Sequence, residues 1–281
     1  MLRIPLRSIP FGLACMIVLA GALFAFQKPF REYPGVEYRV GTIPLPPDYG
    51  DKTEFAFARV MFPGGPLDGY QRTGRFTGDY HLGLSLWTQD YPRADRHFLE
   101  AVRRLTRLNV RSVEQVVDLE DGDDVFNWPF IYAVQAGEWG LTEAQGKILR
   151  EYIDRGGFFM ADDIHGTDEW EEFVKRVGYA YPESTVQDIP ENDAIFHTVF
   201  DLDDRYQVPG YEHLGNGMKN NGRVPYWRAI YDEKGRIRVA ATYNSDIGDS
   251  WEFADDPSYP EKYSALGLRL GVNYIIYSIT H

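Results

Sequence analysis

Residues 152–170 carry the pattern that most constrains the fold of this chain. A helical stretch ends at a glycine pair, the apolar run Phe158–Ala161 follows, and Asp162, Asp163 and His165 come directly after it. Helix, turn, short buried strand and polar cluster in that order are typical of a parallel α/β sheet. Open sheets of this class bind ligands beyond the carboxyl ends of their strands. The pattern therefore predicts a pocket at one edge of a sheet.

Apolar runs and capped amphipathic stretches extend this alternation along the chain. The runs predict strands at Phe55–Phe62, through Leu82, Leu84 and Leu86, and at Val113–Leu119, Phe130–Val134, Tyr226–Tyr231 and Arg236–Tyr243. Helices are predicted to begin near Pro92, Thr142, Asp168 and Glu261. Strands that alternate with helices indicate an α/β fold, with a mostly parallel sheet covered by helices on both faces and a C-terminal helix.

The N-terminus has the pattern of an export segment. Arg3 and Arg7 precede the charge-free apolar run Phe11–Phe26. A basic flank before a run of this length is typical of a signal peptide or of an N-terminal membrane anchor, and both remain open for residues 1–27. We therefore expect an exported protein that faces the periplasm or the cell exterior and meets the membrane only through this segment.

Two further regions follow the export segment. Residues 28–52 are rich in Pro and Tyr, which predicts a linker or an extended segment lying on the domain surface. Residues 53–281 are predicted to form one α/β domain.

Composition excludes several classes of function. The formal net charge of −13 disfavours nucleic acid as a partner and makes cations, neutral sugars or basic protein surfaces better ones. The single cysteine, Cys15, lies inside the export segment. The predicted domain therefore lacks a cysteine nucleophile, a disulfide framework and thiolate metal ligands. It contains neither a G-x-S-x-G elbow nor an H-E-x-x-H motif.

Asp162, Asp163 and His165 form the leading candidate site. Carboxylates and an imidazole can hold a divalent cation, whose bound water would be a hydrolytic nucleophile. Adjacent residues of a continuing strand point to opposite faces, so the two aspartates can share a ligand only if the strand has already ended. The alternative is that one aspartate bonds the backbone amides of the following turn.

Asp90 and Arg93 are predicted to lie on the same rim. Asp90 follows the predicted strand through Leu86, and Arg93 opens the next helix. Asp90 is either a rim carboxylate or a helix cap. Arg93 would neutralise a rim aspartate or meet an anionic ligand.

A second polar group follows the strand Arg236–Tyr243. It contains Asn244, Asp246, Asp249, Trp251 and Glu252. Polar groups beside an exposed indole suit a sugar ring, whereas the alternative is an ordinary loop anchored by a buried Trp251.

Several ordered blocks of the sequence are similar to one family. They are Leu86–Asp95, Trp128–Gly137, Leu149–Asp163, Ala194–Leu202, Tyr243–Glu252 and the C-terminal GVNYIIYSITH. Together these blocks resemble the bacterial family called domain of unknown function 4159 (DUF4159), from about Phe55 to His281. The resemblance implies the flavodoxin-like, three-layer fold of class I glutamine amidotransferases and their trehalose-utilisation relatives, and a place in the cell envelope. Within the block Tyr243–Glu252, the resemblance singles out Asn244, Asp249 and Trp251. Amidotransferase chemistry is excluded, because no cysteine follows Cys15.

Two functions remain as expectations. The first is a non-catalytic module without a cofactor, which binds an envelope protein or a small neutral ligand such as a glycan. The second is a metal-dependent hydrolase of glycans, in which Asp162, Asp163 and His165 hold a divalent metal and Asp90 is a further ligand or base.

Overall fold

The computed structural model describes residues 28–74 and 78–281, so the predicted export segment lies outside the described residues. The strands are β1 (Ala58–Met61), β2 (Gln115–Asp118), β3 (Phe130–Ala133), β4 (Phe158–Ile164), β5 (Gln187–Asp188), β6 (Tyr226–Tyr231) and β7 (Ile237–Tyr243). The α-helices are α1 (Gly69–Arg72), α2 (Arg93–Leu105), α3 (Glu143–Asp154), α4 (Gly166–Val177), α5 (Ile247–Glu252) and α6 (Glu261–Thr280). Short 3₁₀ helices lie at Tyr80–Leu82, Leu86–Thr88, Asp124–Asn127, Ala194–Phe196 and Tyr211–His213.

The seven strands form one mixed sheet in the order β2-β1-β3-β4-β7-β6-β5. The first five are parallel, and β6 and β5 extend the edge in antiparallel fashion. Taken by their order along the chain, the five parallel strands have the 2-1-3-4-5 arrangement of flavodoxin-like sheets. The predicted α/β fold with a mostly parallel sheet and a C-terminal helix is confirmed.

Two apolar cores cover the two faces of this sheet. Alternate residues of β3 point to opposite sides, so that Ile131 packs with α3 and α4 while Tyr132 packs with α2, α5 and α6. Strands buried on both faces read as continuous apolar runs, which is why these segments were recognisable from sequence. The result is a three-layer sandwich.

Residues 28–52 lie against this sandwich. Glu32 pairs with Arg96 of α2 at 2.7 Å, and Asp48 pairs with Arg103 of the same helix at 2.6 Å. Glu37 accepts a hydrogen bond from the backbone N–H of Asp90 at 2.8 Å. The segment therefore brings a carboxylate to the rim that the sequence predicted as a pocket.

The strand predicted through Leu82, Leu84 and Leu86 is wrong. Two 3₁₀ turns occupy this stretch, and Leu82 and Leu84 are 60% and 49% exposed. Leu82 and Leu84 thus face solvent, whereas Leu86 is buried in the core without joining the sheet. Within 28–74 and 78–281, no helix is both long enough and apolar enough to span a bilayer.

Candidate functional site

A cavity of about 250 Å³ opens at the carboxyl edge of the parallel strands. Its polar wall contains Glu37, Asp90, Asp163, Lys219, Asp246 and Asp249, and its aromatic wall contains Tyr70, Tyr211 and Phe253. We call this space the rim cavity. It lies where an open α/β sheet is expected to bind a ligand.

An irregularity in β4 separates the two neighbouring aspartates. Ala161 pairs with Ala241 and Ile164 with Tyr243, so β4 contains one residue more than β7 over this interval. Asp163 takes up the extra length with a left-handed backbone, at φ 55°. An extra residue in a strand redirects the side chains beside it.

Asp162 turns toward helix α5. Its Oδ2 accepts hydrogen bonds from the Tyr132 hydroxyl at 3.0 Å and from the backbone N–H groups of Ile247 and Gly248 at 3.0 and 2.9 Å. Burial, followed by the nearby charge of Asp163, raises the pKa of Asp162 to about 7. Asp162 therefore joins β4 to α5.

Asp163 instead meets His165 and Asp246. One ligand atom of each side chain lies within 4.8 Å of the others, and all three residues are buried. The Asp163 Oδ1 and His165 Nε2 atoms are 2.6 Å apart, within ion-pairing distance, but their angles do not satisfy hydrogen-bond geometry. Burial lowers the pKa of His165, which favours the neutral imidazole that ligates metals. We call Asp163, His165 and Asp246 the first acidic group.

A second acidic group consists of Asp90, Asp246 and Asp249. Its ligand atoms also lie within 4.8 Å of one another, and Asp246 belongs to both groups. Asp246 caps α5, because its Oδ1 accepts the backbone N–H of Asp249 at 2.8 Å. Asp249 Oδ2 accepts the N–H of Tyr211 at 2.6 Å.

Glu37 and Glu252 extend the acidic wall beyond Asp90. Their carboxylates and that of Asp90 form a third group with ligand atoms within 4.8 Å. Tyr38 donates its hydroxyl to Glu252. Burial and the neighbouring charge of Glu37 raise the pKa of Glu252 to about 9.

Lys219 contributes a positively charged side chain to this rim. Its Nζ lies 3.4 Å from Glu138, 3.6 Å from Glu169 and 3.7 Å from Asp163. Burial raises the pKa of Asp163, but Lys219 and His165 outweigh it and lower the value to about 2.

The other rim carboxyls shift in the opposite direction. Burial, with the charges of neighbouring aspartates, raises the pKa of Asp90 and of Asp246 well above the usual range. Burial also raises that of Asp249 to about 7. No ion pair within 4 Å engages Asp90, Asp246 or Asp249 among the residues that the structure describes. Carboxyls crowded in this way either hold protons or share a cation.

The family profile described as a domain of unknown function, DUF4159, matches residues 80–279, more than half of the chain. The chain belongs to the DUF4159 family. A comparison with curated proteins finds no match. Family membership agrees with the resemblance seen in the sequence blocks.

Four of the predicted site residues of this DUF4159 domain lie in the acidic groups. They are Asp90, Asp163, His165 and Asp249. The metal set predicted from sequence, Asp162 with Asp163 and His165, needs correction, because Asp246 takes the place of Asp162.

The other predicted residues have structural roles. Asn244 holds the turn before α4, since its Oδ1 accepts the Gly166 N–H at 2.9 Å. Arg93 pairs with Asp255 at 2.6 Å. Trp251 as an exposed sugar platform is wrong: its indole is fully buried, stacks on Phe98 at 4.0 Å, and donates to the Gly267 carbonyl at 3.0 Å.

Sequence reasoning missed Glu37 and Lys219. Glu37 belongs to the predicted linker, and no local pattern shows that this segment folds back onto the rim. Lys219 stands in a loop rich in Gly and Asn. A lysine in such a loop is usually solvated, so only the tertiary structure identifies it as the partner of Asp163.

Proposed function

We propose that this DUF4159 domain binds a divalent cation through the first acidic group and uses it to hold a small hydroxylated ligand, such as a glycan, in the rim cavity. The observation that carries the proposal is the convergence of Asp163, His165 and Asp246 within 4.8 Å. The His165 Nδ1 atom is buried and makes no hydrogen bond to any residue that the structure describes. Buried polar atoms of native proteins normally have a partner, which supports a cation at this point.

The donor set selects the kind of cation. Two carboxylates and a neutral imidazole suit Zn²⁺ or Mn²⁺ better than Ca²⁺, which takes oxygen ligands. Ligand distances of about 2.0–2.6 Å around one ion allow donor atoms to lie up to about 5 Å apart. The spacing within the first acidic group meets that limit.

An aromatic surface beside the carboxylates supports a glycan as the ligand. Tyr211 is 37% exposed, lines the rim cavity and stacks on Phe253 with ring centroids 4.4 Å apart. A sugar ring can lie on such a face while its hydroxyl groups complete the shell of the cation and bond the carboxylates.

The same proposal extends to location and partners. The pattern of residues 1–27 supports a domain held at, or released from, the outer side of the membrane. There its partners would be a glycan or an envelope protein, with no contact to nucleic acid.

A metal-dependent hydrolase is the second candidate. In its favour, Asp90 and Asp249 line the same cavity as Asp163 and Asp246, so a cation-bound water there would have further carboxyl groups beside it. Hydrolysis of glycosides or esters that stops with a chelator and returns with Mn²⁺ would establish it.

Calorimetric titration with Mn²⁺, Zn²⁺ and Ca²⁺ tests the cation. Wild-type protein should bind at least one ion, and Asp163→Asn or His165→Gln should weaken that binding by about 100-fold, since outer-shell changes alone cost about 10–100-fold. Asp203→Asn, at an exposed carboxylate, is the matched control and should bind as wild type. If no ion binds, the proposal is wrong.

A glycan array tests the ligand. Binding should require the cation, and Tyr211→Ser should reduce glycan binding while cation affinity is kept. Tyr49→Ser is the control, because Tyr49 is a similarly exposed tyrosine, at 43%, far from the rim cavity. It lies at the opposite edge of the sheet, beside the residues that lead into β1 and β3. Equal loss in both variants would contradict the assigned aromatic surface.

A further inference from the structure

We infer that Asp90, Asp246 and Asp249 form a second divalent-cation site, which shares Asp246 with the first, so that the rim cavity holds a two-ion centre. The inference rests on the proposed function, because Asp246 is a ligand in both acidic groups. It adds an ion, and with it a different chemistry, to the site proposed above.

The three carboxylates of the second acidic group come from two parts of the chain, since Asp246 caps the helix whose first turn contains Asp249. Asp90 follows a 3₁₀ turn, Asp246 follows β7, and Asp249 lies in the first turn of α5. Asp90 is 2% exposed, and its buried Oδ2 has no hydrogen-bond partner among residues 28–74 and 78–281. An unpartnered carboxylate oxygen beside two others is costly unless protons or a cation occupy the space between them.

Gly210 leaves room for an ion beside these carboxylates. A methyl group added to Gly210 would lie 2.7 Å from Asp246 Oδ2 and 3.0 Å from Asp249 Oδ2. The glycine is not needed for its backbone freedom, because its φ of −60° suits any residue. Its missing side chain instead keeps open a space that two carboxylate oxygens face.

The donor chemistry differs between the two sites. The second acidic group offers only carboxylate oxygens, the donors that Mg²⁺, Ca²⁺ and Mn²⁺ prefer. The first also offers the imidazole of His165. Paired ions in two-metal sites lie about 3.5–4 Å apart, a separation that a shared carboxylate can bridge. Mn²⁺ suits both donor sets and is therefore the ion to test.

Shared protons are the competing explanation. Asp90, Asp246 and Asp249 could be held together by protons instead of a cation, which would also relieve their repulsion. The two explanations differ in stoichiometry and in magnetic coupling, since only a bridged pair of Mn²⁺ ions loses the six-line spectrum of an isolated ion.

Mn²⁺ titration by calorimetry and electron paramagnetic resonance tests the inference on the purified chain. We expect two ions per chain and a coupled spectrum for wild type. Asp90→Asn should bind one ion with an isolated six-line spectrum, and His165→Gln should keep the second site while the first weakens by about 100-fold. Asp203→Asn, the control, should match wild type.

Gly210→Ala reaches the same site without a change of charge. It should lose the second ion and the magnetic coupling, while circular dichroism and thermal unfolding confirm that the variant is folded. This second variant separates loss of the site from loss of the fold.

Each remaining outcome decides between the proposals. One ion in wild type, unaffected by Asp90→Asn, would overturn the second site and leave the proposed function standing. No ion at all would overturn both. Two ions without magnetic coupling would overturn the shared role of Asp246.

Discussion

A buried ion pair between β1 and α2 should control both the stability of the domain and the position of Asp90. Arg59 donates from Nε to Asp95 Oδ2 at 2.8 Å and from Nη2 to Oδ1 at 2.6 Å, and both side chains are 0% exposed. Its Nη1 donates to the carbonyls of Trp87 and Gln89, at 3.1 Å each. One guanidinium thus holds α2 and the turn that leads to Asp90.

Arg59→Met should lower the free energy of unfolding by about 3–5 kcal/mol. It removes the cation and leaves the Asp95 carboxylate buried without a partner, a change that typically costs this much. The loss of two hydrogen bonds to carbonyls adds to the cost. The double variant Arg59→Met/Asp95→Leu should regain most of the loss, because no unpaired charge remains.

Urea unfolding followed by tryptophan fluorescence measures these differences as shifts in midpoint. Arg104→Met is the matched control, because Arg104 pairs with Glu100 on the same helix and both side chains are largely exposed. Its removal should leave the free energy of unfolding unchanged. If the double variant is as unstable as Arg59→Met alone, the unpaired Asp95 is not the cause and the reasoning is refuted.

Three further changes test other parts of the structure. Thr142→Ala removes the capping box with Gln145 and should lower the free energy of unfolding by about 1 kcal/mol, measured by urea unfolding against Glu143→Ala, whose side chain lies outside that box. Burial raises the pKa of Glu114 from 4.5 to about 7. The free energy of unfolding of wild type should therefore fall by about 3 kcal/mol relative to that of Glu114→Gln as the pH rises from 4.5 through 7. A difference between the two unfolding free energies that stays constant with pH would contradict this. Gly271→Ala places a methyl group 2.5 Å from the Phe98 ring and should cost about 1–3 kcal/mol, and an unchanged melting temperature would refute such tight packing.

The parallel sheet was predictable because its strands are buried on both faces. The run in β3 and the first four residues of β4, Phe158–Ala161, are apolar throughout, although β4 continues through the two aspartates to Ile164. The capping box at Thr142 marks the start of α3 correctly. The leucines from Leu82 to Leu86 mimic a strand, but alternation alone does not say whether a partner strand is available.

The candidate site was predictable only in part, because its assembly depends on details of the backbone. Asp90 reaches the rim although the strand predicted before it does not exist. Helix α5 is six residues long, too short for a readable period, so the buried position of Trp251 was only one of two alternatives that the sequence left open. Glu37 and Lys219 arrive from segments whose local patterns predict only solvated chain.

The neighbouring aspartates show how one local irregularity assigns two roles. In a regular strand Asp162 and Asp163 would point to opposite faces of the sheet. The extra residue in β4 lets Asp162 accept the N–H groups of Ile247 and Gly248, which fixes the start of α5 and therefore the position of Asp246. Asp163, held at φ 55°, lies close to Asp246, which follows β7 and caps α5. A left-handed aspartate is costly unless its surroundings maintain it, and here it brings the carboxyl ends of β4 and β7 together as one group. Asp162 thus positions the first acidic group and Asp163 belongs to it, a division that their adjacency in the sequence concealed.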